Sequence, residues 1–241
     1  MTVEIYVATH KDYEFPKANC YYPIHVGKEK AKVDLGIIGD NTGDNISELN
    51  STFCELTALY WMWKNSFADI LGLVHYRRYF IGKDGQILTE KDINTLGLDE
   101  IIVATKKSFY KVKKIFGLRI SKNQISVREH YAKDHYERDF NKLRDIVASK
   151  SPDYLEAFDS LCDVKDGISL FNMFIMHREL VDEYCKWMFP ILFELEQTLD
   201  ITSYDTYQRR IYGFLSERMF NVFLIKNKER LNLRYADVVM K

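Results

Sequence analysis

Cysteine, proline, glycine-rich linkers and long apolar runs are all scarce in this 241-residue chain, and each scarcity removes a class of protein. The four cysteines, Cys20, Cys54, Cys162 and Cys185, are far apart and form no Cys-x-x-Cys pair. That excludes the tight ligand spacing of a zinc site and the cysteine density of a disulfide scaffold; reduced thiols packed as small hydrophobes in a cytosolic protein are expected. Only four prolines and eleven glycines are present, with no repeat, low-complexity tract or Gly/Pro/Ser linker, so residues 1–241 are expected to form one compact unit. The longest apolar run, Trp187–Phe193, contains Pro190 and is seven residues long, against about 18 for a membrane span. Neither sign of charge dominates: 34 Lys+Arg face 35 Asp+Glu, a net charge of −1. A nucleic-acid coat needs a basic excess, so no nucleic-acid partner is expected. With 46% hydrophobic residues the chain is also too apolar for intrinsic disorder. The first ten residues show neither a cationic stretch nor a cleavage site, which points to a soluble cytoplasmic protein. No Gly-x-x-x-x-Gly-Lys, Gly-x-Gly-x-x-Gly, Gly-x-Ser-x-Gly or Asp-x-Asp occurs, so P-loop, dinucleotide and hydrolase chemistry lack their signals.

What is present reads as alternating strands and helices. Val3, Ile5 and Val7 alternate along a first strand that runs into Thr9-His10-Lys11, polar residues at the edge where open α/β sheets bind ligands. A short strand at 24–26 and a turn-rich stretch at 36–44 lead to a long helix from about Ser47 to Lys64. Ser47 suits an N-cap, and Leu49, Phe53, Leu56, Tyr60 and Trp63 fall on one helical face. Further strands are expected at 70–74, 101–104 and 168–176, and helices at about 127–149, 153–161, 179–199 and 204–223. The pattern predicts an α/β sandwich with a helical C-terminal portion.

Three polar clusters could carry chemistry. In Asp40-Asn-Thr-Gly-Asp-Asn-Ile-Ser47, Gly43 permits a tight turn before the helix. The segment either meets an anion or a ribose, or simply builds an Asx-turn and cap. His75-Tyr-Arg-Arg-Tyr-Phe80 ends an apolar strand with fixed cations suited to phosphate. Strand alternation puts His75 and Arg77 on one face and Tyr76 and Arg78 on the other, with one arginine gripping phosphate and its neighbour bracing the loop. On the C-terminal helices, Asp205 and Arg209 are four apart, and Arg210, Gly213 and Glu217 share a neighbouring stripe. Here a surface ion pair and a general base are both open readings. Separately, eight basic residues and no acid lie between Ile101 and Arg128, among them Lys106, Lys107, Lys111, Lys113, Lys114 and Arg119. Phe109, Tyr110, Ile115, Phe116 and Leu118 interleave them. The stretch is either a solvated charge run or a basic flap for an anionic membrane or a pyrophosphate-bearing acceptor.

Thr9-His-Lys11, Asp40–Ser47, Cys54-Glu-Leu-Thr57 with Tyr60-Trp61 and Trp63-Lys-Asn65, Gly72–Phe80 and Phe214-Leu-Ser-Glu-Arg218 together resemble a bacterial family. It is that of the capsular and exopolysaccharide biosynthesis glycosyltransferases, long known as a domain of unknown function. The resemblance implies a GT-A-like, Rossmann-type nucleotide-sugar-binding sandwich, with residues 1–104 as the nucleotide-sugar half and 105–241 as the acceptor half. It also implies inverting transfer of a hexosyl unit, galactofuranosyl in some relatives, from a UDP-sugar to a lipid-linked precursor of capsule, exopolysaccharide or O-antigen. The Asp-x-Asp that holds a metal in ordinary GT-A enzymes is replaced by His75-Tyr-Arg-Arg78, so no metal cofactor is expected. By the same comparison Thr9, His10, Lys11, Asp40, Asn41, Asp44 and Asn45 would hold the nucleotide, and His75 with Arg77 or Arg78 the diphosphate. Asn172 and Met173 would face the acceptor, and Asp205 or Glu217 would be the base. Peripheral contact with the inner face of the cytoplasmic membrane through 106–122 is the companion expectation. A catalytically silent nucleotide-sugar-binding or scaffold module is the rival reading.

Overall fold

The computed structural model describes residues 1–115 and 118–240, and the side chains of all of these except 113–115 and 118–120. Its first half is built from β1 (Val3–Thr9), β2 (Tyr21–His25), β3 (Ile38–Gly39), α1 (Asn50–Phe53), α2 (Leu56–Asn65), β4 (Ile70–His75), β5 (Arg78–Ile81), α3 (Glu90–Ile93) and β6 (Glu100–Ala104). The second half adds β7 (Phe109–Ile115), β8 (Leu118–Ile125), α4 (Val127–Asp134), α5 (Glu137–Lys150), α6 (Leu155–Asp163), β9 (Phe174–His177), α7 (Arg178–Thr198), α8 (Ile211–Lys226) and β10 (Asn232–Met240).

One mixed sheet organises the chain. β1 lies between β2 and β4, parallel to both, and β3 extends the parallel set beyond β2. β9 runs antiparallel between β4 and β6, and β10 lies parallel to β6 and antiparallel to β5. Strands from the second half therefore complete the sheet begun by the first. β1 is apolar on both faces because both are covered: Val3, Ile5 and Val7 enter one core, Tyr6 and Ala8 the other. Gly72 in β4 is required by close approach, since a Cβ there would sit 3.0 Å from Ile175 and 3.2 Å from Ile5. The larger core joins the sheet to Leu59 and Met62 of α2, Tyr184 and Met188 of α7, and Met219, Phe220 and Phe223 of α8. The opposite core gathers Tyr79, Phe80, Ile93, Met173 and Ile175. The C-terminal ends of β1, β2 and β4 share one edge, and the chain's chemistry converges there.

The sheet and the C-terminal helices follow the sequence pattern, while several boundaries differ from it. The expected helix 47–64 is interrupted at Cys54, whose φ of 54° and ψ of −131° break the helical path between α1 and α2. The expected 127–149 helix divides at His135, and α4 starts with a capping box in which Ser126 and Glu129 exchange hydrogen bonds of 3.2 and 2.8 Å. The last helix starts at Ile211 rather than 204, and the 168–176 strand is confined to Phe174–His177. β5, β10 and the β7–β8 hairpin formed by the basic segment are additions to the sequence reading. Of that segment, Phe116 and the side chains of Lys113, Lys114, Ile115, Leu118 and Arg119 lie outside the described residues. Among the described residues no helix is long and apolar enough to cross a membrane.

Candidate active site

β4 ends at His75, and the chain reverses through Tyr76 and Arg77 so that Arg78 pairs back with His75 as β5 begins. This corrects the face assignment drawn from strand alternation: a hairpin, not a continuing strand, puts His75 and Arg78 in one cleft. Arg78 is partly buried, its guanidinium 4.4 Å above the Phe171 ring, and its buried Nε has no hydrogen-bond partner. Arg77 is exposed and stacks at 4.8 Å on Tyr76. The edge of Tyr76 in turn meets His10 and Tyr13. Arg78 thus belongs to the cleft, and Arg77 to its rim.

The facing wall comes from α8 and the break before α2. The cleft holds about 130 Å³, with Arg210, Gly213, Phe214 and Glu217 on one side and Cys54 and Glu55 adjoining. Phe171, which precedes β9, ties the walls together. Its N–H donates to Glu217 Oε1 at 2.8 Å, and its carbonyl accepts from His75 Nε2 at 2.6 Å. Because a carbonyl only accepts, Nε2 carries the proton and a neutral His75 leaves the lone pair on Nδ1. These two bonds are possible because Phe171 and Asn172 have φ of 76° and 52°. Such left-handed geometry in a bulky residue costs of order 1–3 kcal/mol and clusters at functional sites. Burial raises the Glu217 carboxyl above its ordinary 4.5, opposed by the Arg218 guanidinium that donates to Oε2 at 2.9 Å. Arg218 is itself buried, and its other nitrogen Nη2 reaches His130 Nδ1 at 3.2 Å. Burial, reinforced by Arg218, lowers His130 to about 4, so the pair does not carry two cations at neutral pH.

The other sequence candidates divide between the rim, the framework and sites outside the cleft. Thr9 is fully buried and closes a local turn with Lys11, leaving His10 and Lys11 exposed at the sheet edge. His10 is held below its ordinary value by desolvation and by the charges of Lys11, Arg77 and Arg210. Asp40 is fully buried and takes bonds from the N–H groups of Gly27 and Lys28 and from Ser47 Oγ, so its carboxylate fastens loops. Asn41 donates to Glu29. Asp44 is exchanged with Asn65, the last residue of α2, through backbone and side-chain bonds, while Asn45 caps Gly43 and Ser47. Glu55 lines the cleft at the opposite end of that ten-residue helix, and the helix is about 15 Å long. The Asp44–Asn45 turn and the His75–Glu217 cleft are therefore not one cluster.

The two candidate bases also separate. Asp205 is exposed and caps the N–H of Gln208 at 2.7 Å, outside the cleft. The anticipated Asp205–Arg209 ion pair is absent among the described residues, since the turn there lets Arg209 bond the carbonyls of Tyr204 and Thr202. Asn172 is buried just behind the cleft wall, its amide nitrogen 2.6 Å from Glu55 Oε1 and 2.9 Å from Ser216 Oγ. Met173 is fully buried in the opposite core, so its expected contact with an acceptor is corrected: side-chain alternation turns it away from the cleft. Cys54 and Glu55 stood in the sequence only as motif residues, Phe171 only within the strand expected at 168–176, and Arg210 only on a helical stripe. The left-handed backbone that brings Phe171 into place has no glycine to announce it.

Chemically, the cleft combines a buried, unpartnered arginine nitrogen, a protonated imidazole nitrogen and a carboxylate with a raised pKa. That is an arrangement able to receive an anion beside a proton acceptor. Among the described residues no three His, Cys, Asp or Glu side chains gather as a metal would need, and both oxygens of Glu217 are engaged.

The model of a family described as Domain of unknown function (DUF4422) matches residues 4–228. A solved structure of a bifunctional glycosyltransferase, WbbM, in its apo form is similar with a TM-score of 0.87 and 31% sequence identity. The likeness covers 100% of this chain and 45% of that one, so this chain spans less than half of that protein's length. No curated protein matches the chain.

Proposed function

The chain belongs to the family described as Domain of unknown function (DUF4422), and from that premise we propose that it is a glycosyltransferase. In this reading it moves a hexosyl unit, galactofuranosyl being one case, from a UDP-sugar to a surface-polysaccharide precursor. The fold shared with WbbM supports glycosyl transfer in general. The observation that carries the reading to this chain's own residues is the meeting of Arg78, His75 and Glu217 in one cleft at the sheet's ligand edge.

In this reading the transfer is an inverting displacement. As an acceptor hydroxyl attacks the anomeric carbon, the new C–O bond forms while the bond from that carbon to the diphosphate oxygen breaks. Glu217 takes the hydroxyl proton, and the departing UDP carries away the bonding electron pair as negative charge. In this reading the Arg78 guanidinium, which lines the cleft, responds to that charge, and His75, whose Nε2–H is held by the Phe171 carbonyl, fixes the loop beside it. Burial supports Glu217 as base, because a raised pKa brings its basicity nearer the working pH. Fixed cations do the work that a metal performs elsewhere, and the engaged oxygens of Glu217 do not fit a bridging metal. His10, Lys11 and Arg77 at the rim are assigned to the nucleotide side.

The acceptor in this reading is lipid-linked, and the β7–β8 hairpin meets the membrane that carries it. Its exposed side chains include Tyr110 and Val112 on one face of β7 and Lys111 on the other, with the Lys122 ammonium 3.6 Å above the Tyr110 ring. The test is UDP release from UDP-galactofuranose or UDP-galactopyranose in EDTA, with and without lipid-linked saccharide acceptors. Acceptor-dependent release is expected. Nucleotide binding with no turnover on any acceptor would contradict it and favour the silent binding module.

A further inference from the structure

Arg210, the residue immediately before α8, shares the cleft with Arg78 and His75. Its Nε lies 3.3 Å from Cys54 Sγ, a weak acceptor. Burial pushes the Cys54 thiol up to about 11, so the sulfur is neutral near pH 7 and supplies no counter-charge. Among the described residues neither Arg210, Arg77 nor Arg78 forms an ion pair with a carboxylate, although eleven lysine or arginine pairs with carboxylates occur elsewhere. The thiol is held in place deliberately: Cys54 adopts a backbone conformation suited to glycine, and Gly213 gives it room, since a Cβ there would sit 3.3 Å from its sulfur. The charge of Arg210 also reaches His10, together with Lys11 and Arg77. Cations from the end of β1, the β4–β5 hairpin and the start of α8 therefore converge on one opening.

We infer that Arg210 is a phosphate-binding residue of the donor site, which leaves the Cys54 sulfur to grip the nucleoside diphosphate from the side opposite Arg78. The inference rests on the donor-site reading above and deepens it. A carboxylate in place of Cys54 would hold the guanidinium more firmly but would compete with the incoming phosphate. A neutral thiol orients the fork and releases it. Arg210 is exposed, and besides the sulfur its guanidinium meets only the Phe214 ring, 5.4 Å from the centroid, so taking a phosphate breaks no ion pair.

The test is calorimetric titration of the full chain in EDTA with uridine, UMP, UDP and inorganic pyrophosphate. For Arg210→Ala, UDP and pyrophosphate are expected to bind roughly ten- to hundredfold more weakly while uridine binding is unchanged, the loss of a charge-assisted bond. Arg210→Lys should recover part of the loss, having the charge without the fork. Circular dichroism and thermal melting of each variant check the fold. If wild-type protein binds UDP and Arg210→Ala binds it equally well, the inference is overturned. Equal weakening for uridine and UDP also overturns it, because that is the mark of a structural role. Wild-type protein that binds neither UDP nor pyrophosphate refutes the donor-site reading itself.

Discussion

Replacing Glu217 by glutamine keeps the shape of the side chain and removes its charge, and the structure sets the size of both consequences. The carboxylate accepts two bonds, 2.8 Å from Phe171 N–H and 2.9 Å from Arg218 Nη1. A carboxamide has one acceptor oxygen, so one of those donors is left against an NH₂ group. A buried donor without a partner costs about 1–3 kcal/mol, more when it is charged. Against a typical total of about 5–15 kcal/mol the variant should fold, with a lowered urea midpoint. Its transferase kcat should fall by about 10²–10⁴, the contribution of a positioned general base. UDP affinity should stay within about threefold, less than 1 kcal/mol. The pH profile supplies the sign. Glu217 is raised by burial, so kcat of the wild-type protein falls as acid protonates the carboxylate, with a midpoint above the ordinary 4.5. The glutamine variant lacks that limb. Stability runs the other way: the folded state holds the proton more tightly, so this group's contribution is full below its unfolded pKa and is lost as pH rises through the folded one. Steady-state UDP release from pH 5 to 9, with urea unfolding of the same samples, checks all three. A stable, folded Glu217→Gln protein that keeps more than about a tenth of the wild-type kcat would refute the assignment.

Other consequences are independent of the reaction. Gly72→Ala places a methyl 3.0 Å from Ile175 and should destabilise the chain by about 1–3 kcal/mol in urea unfolding, because overpacked cores resist. His130, lowered to about 4 in the fold, binds its proton more readily when unfolded. Stability should therefore fall as pH drops from about 6.5 towards 4, by at most about 3 kcal/mol. His130→Gln should flatten that interval in pH-dependent melts. Changing Lys106, Lys107, Lys111 and Lys122 to Gln should weaken co-sedimentation with anionic vesicles by about 1 kcal/mol per lysine near the surface, leaving neutral vesicles unaffected.

Strands flanked by apolar alternation were readable from residues alone, because burial on both faces of β1 and β4 leaves a continuous apolar signature. So was the cationic end of β4, where two arginines follow a strand. The hairpin that unites His75 with Arg78 was not, since Tyr76 and Arg77 are not the glycine or asparagine that such turns favour. The helix break at Cys54 was equally hidden: Leu49, Phe53, Leu56 and Tyr60 keep helical periodicity straight through it. Packing against Gly213 of α8, 159 positions later in the chain, accompanies the break. The expectation that Asp40, Asp44 and Asn45 hold the nucleotide comes from their place before a helix and from the family resemblance. Their bonds to Gly27, Ser47 and Asn65, which the sequence does not show, satisfy the loop's own backbone. Glu217 and His75 are 142 positions apart, and the left-handed pair Phe171–Asn172 brings them to the N–H and the carbonyl of one residue, Phe171.

The most direct test of a donor site built on fixed cations is titration of wild-type protein and Arg78→Ala with UDP in EDTA, followed by excess Mn²⁺. Wild-type protein is expected to bind UDP in EDTA, unchanged by Mn²⁺, and the variant to bind it at least about tenfold more weakly, having lost a charge-assisted bond to phosphate. UDP binding that appears only after Mn²⁺ is added, or that survives intact in Arg78→Ala, would contradict that expectation.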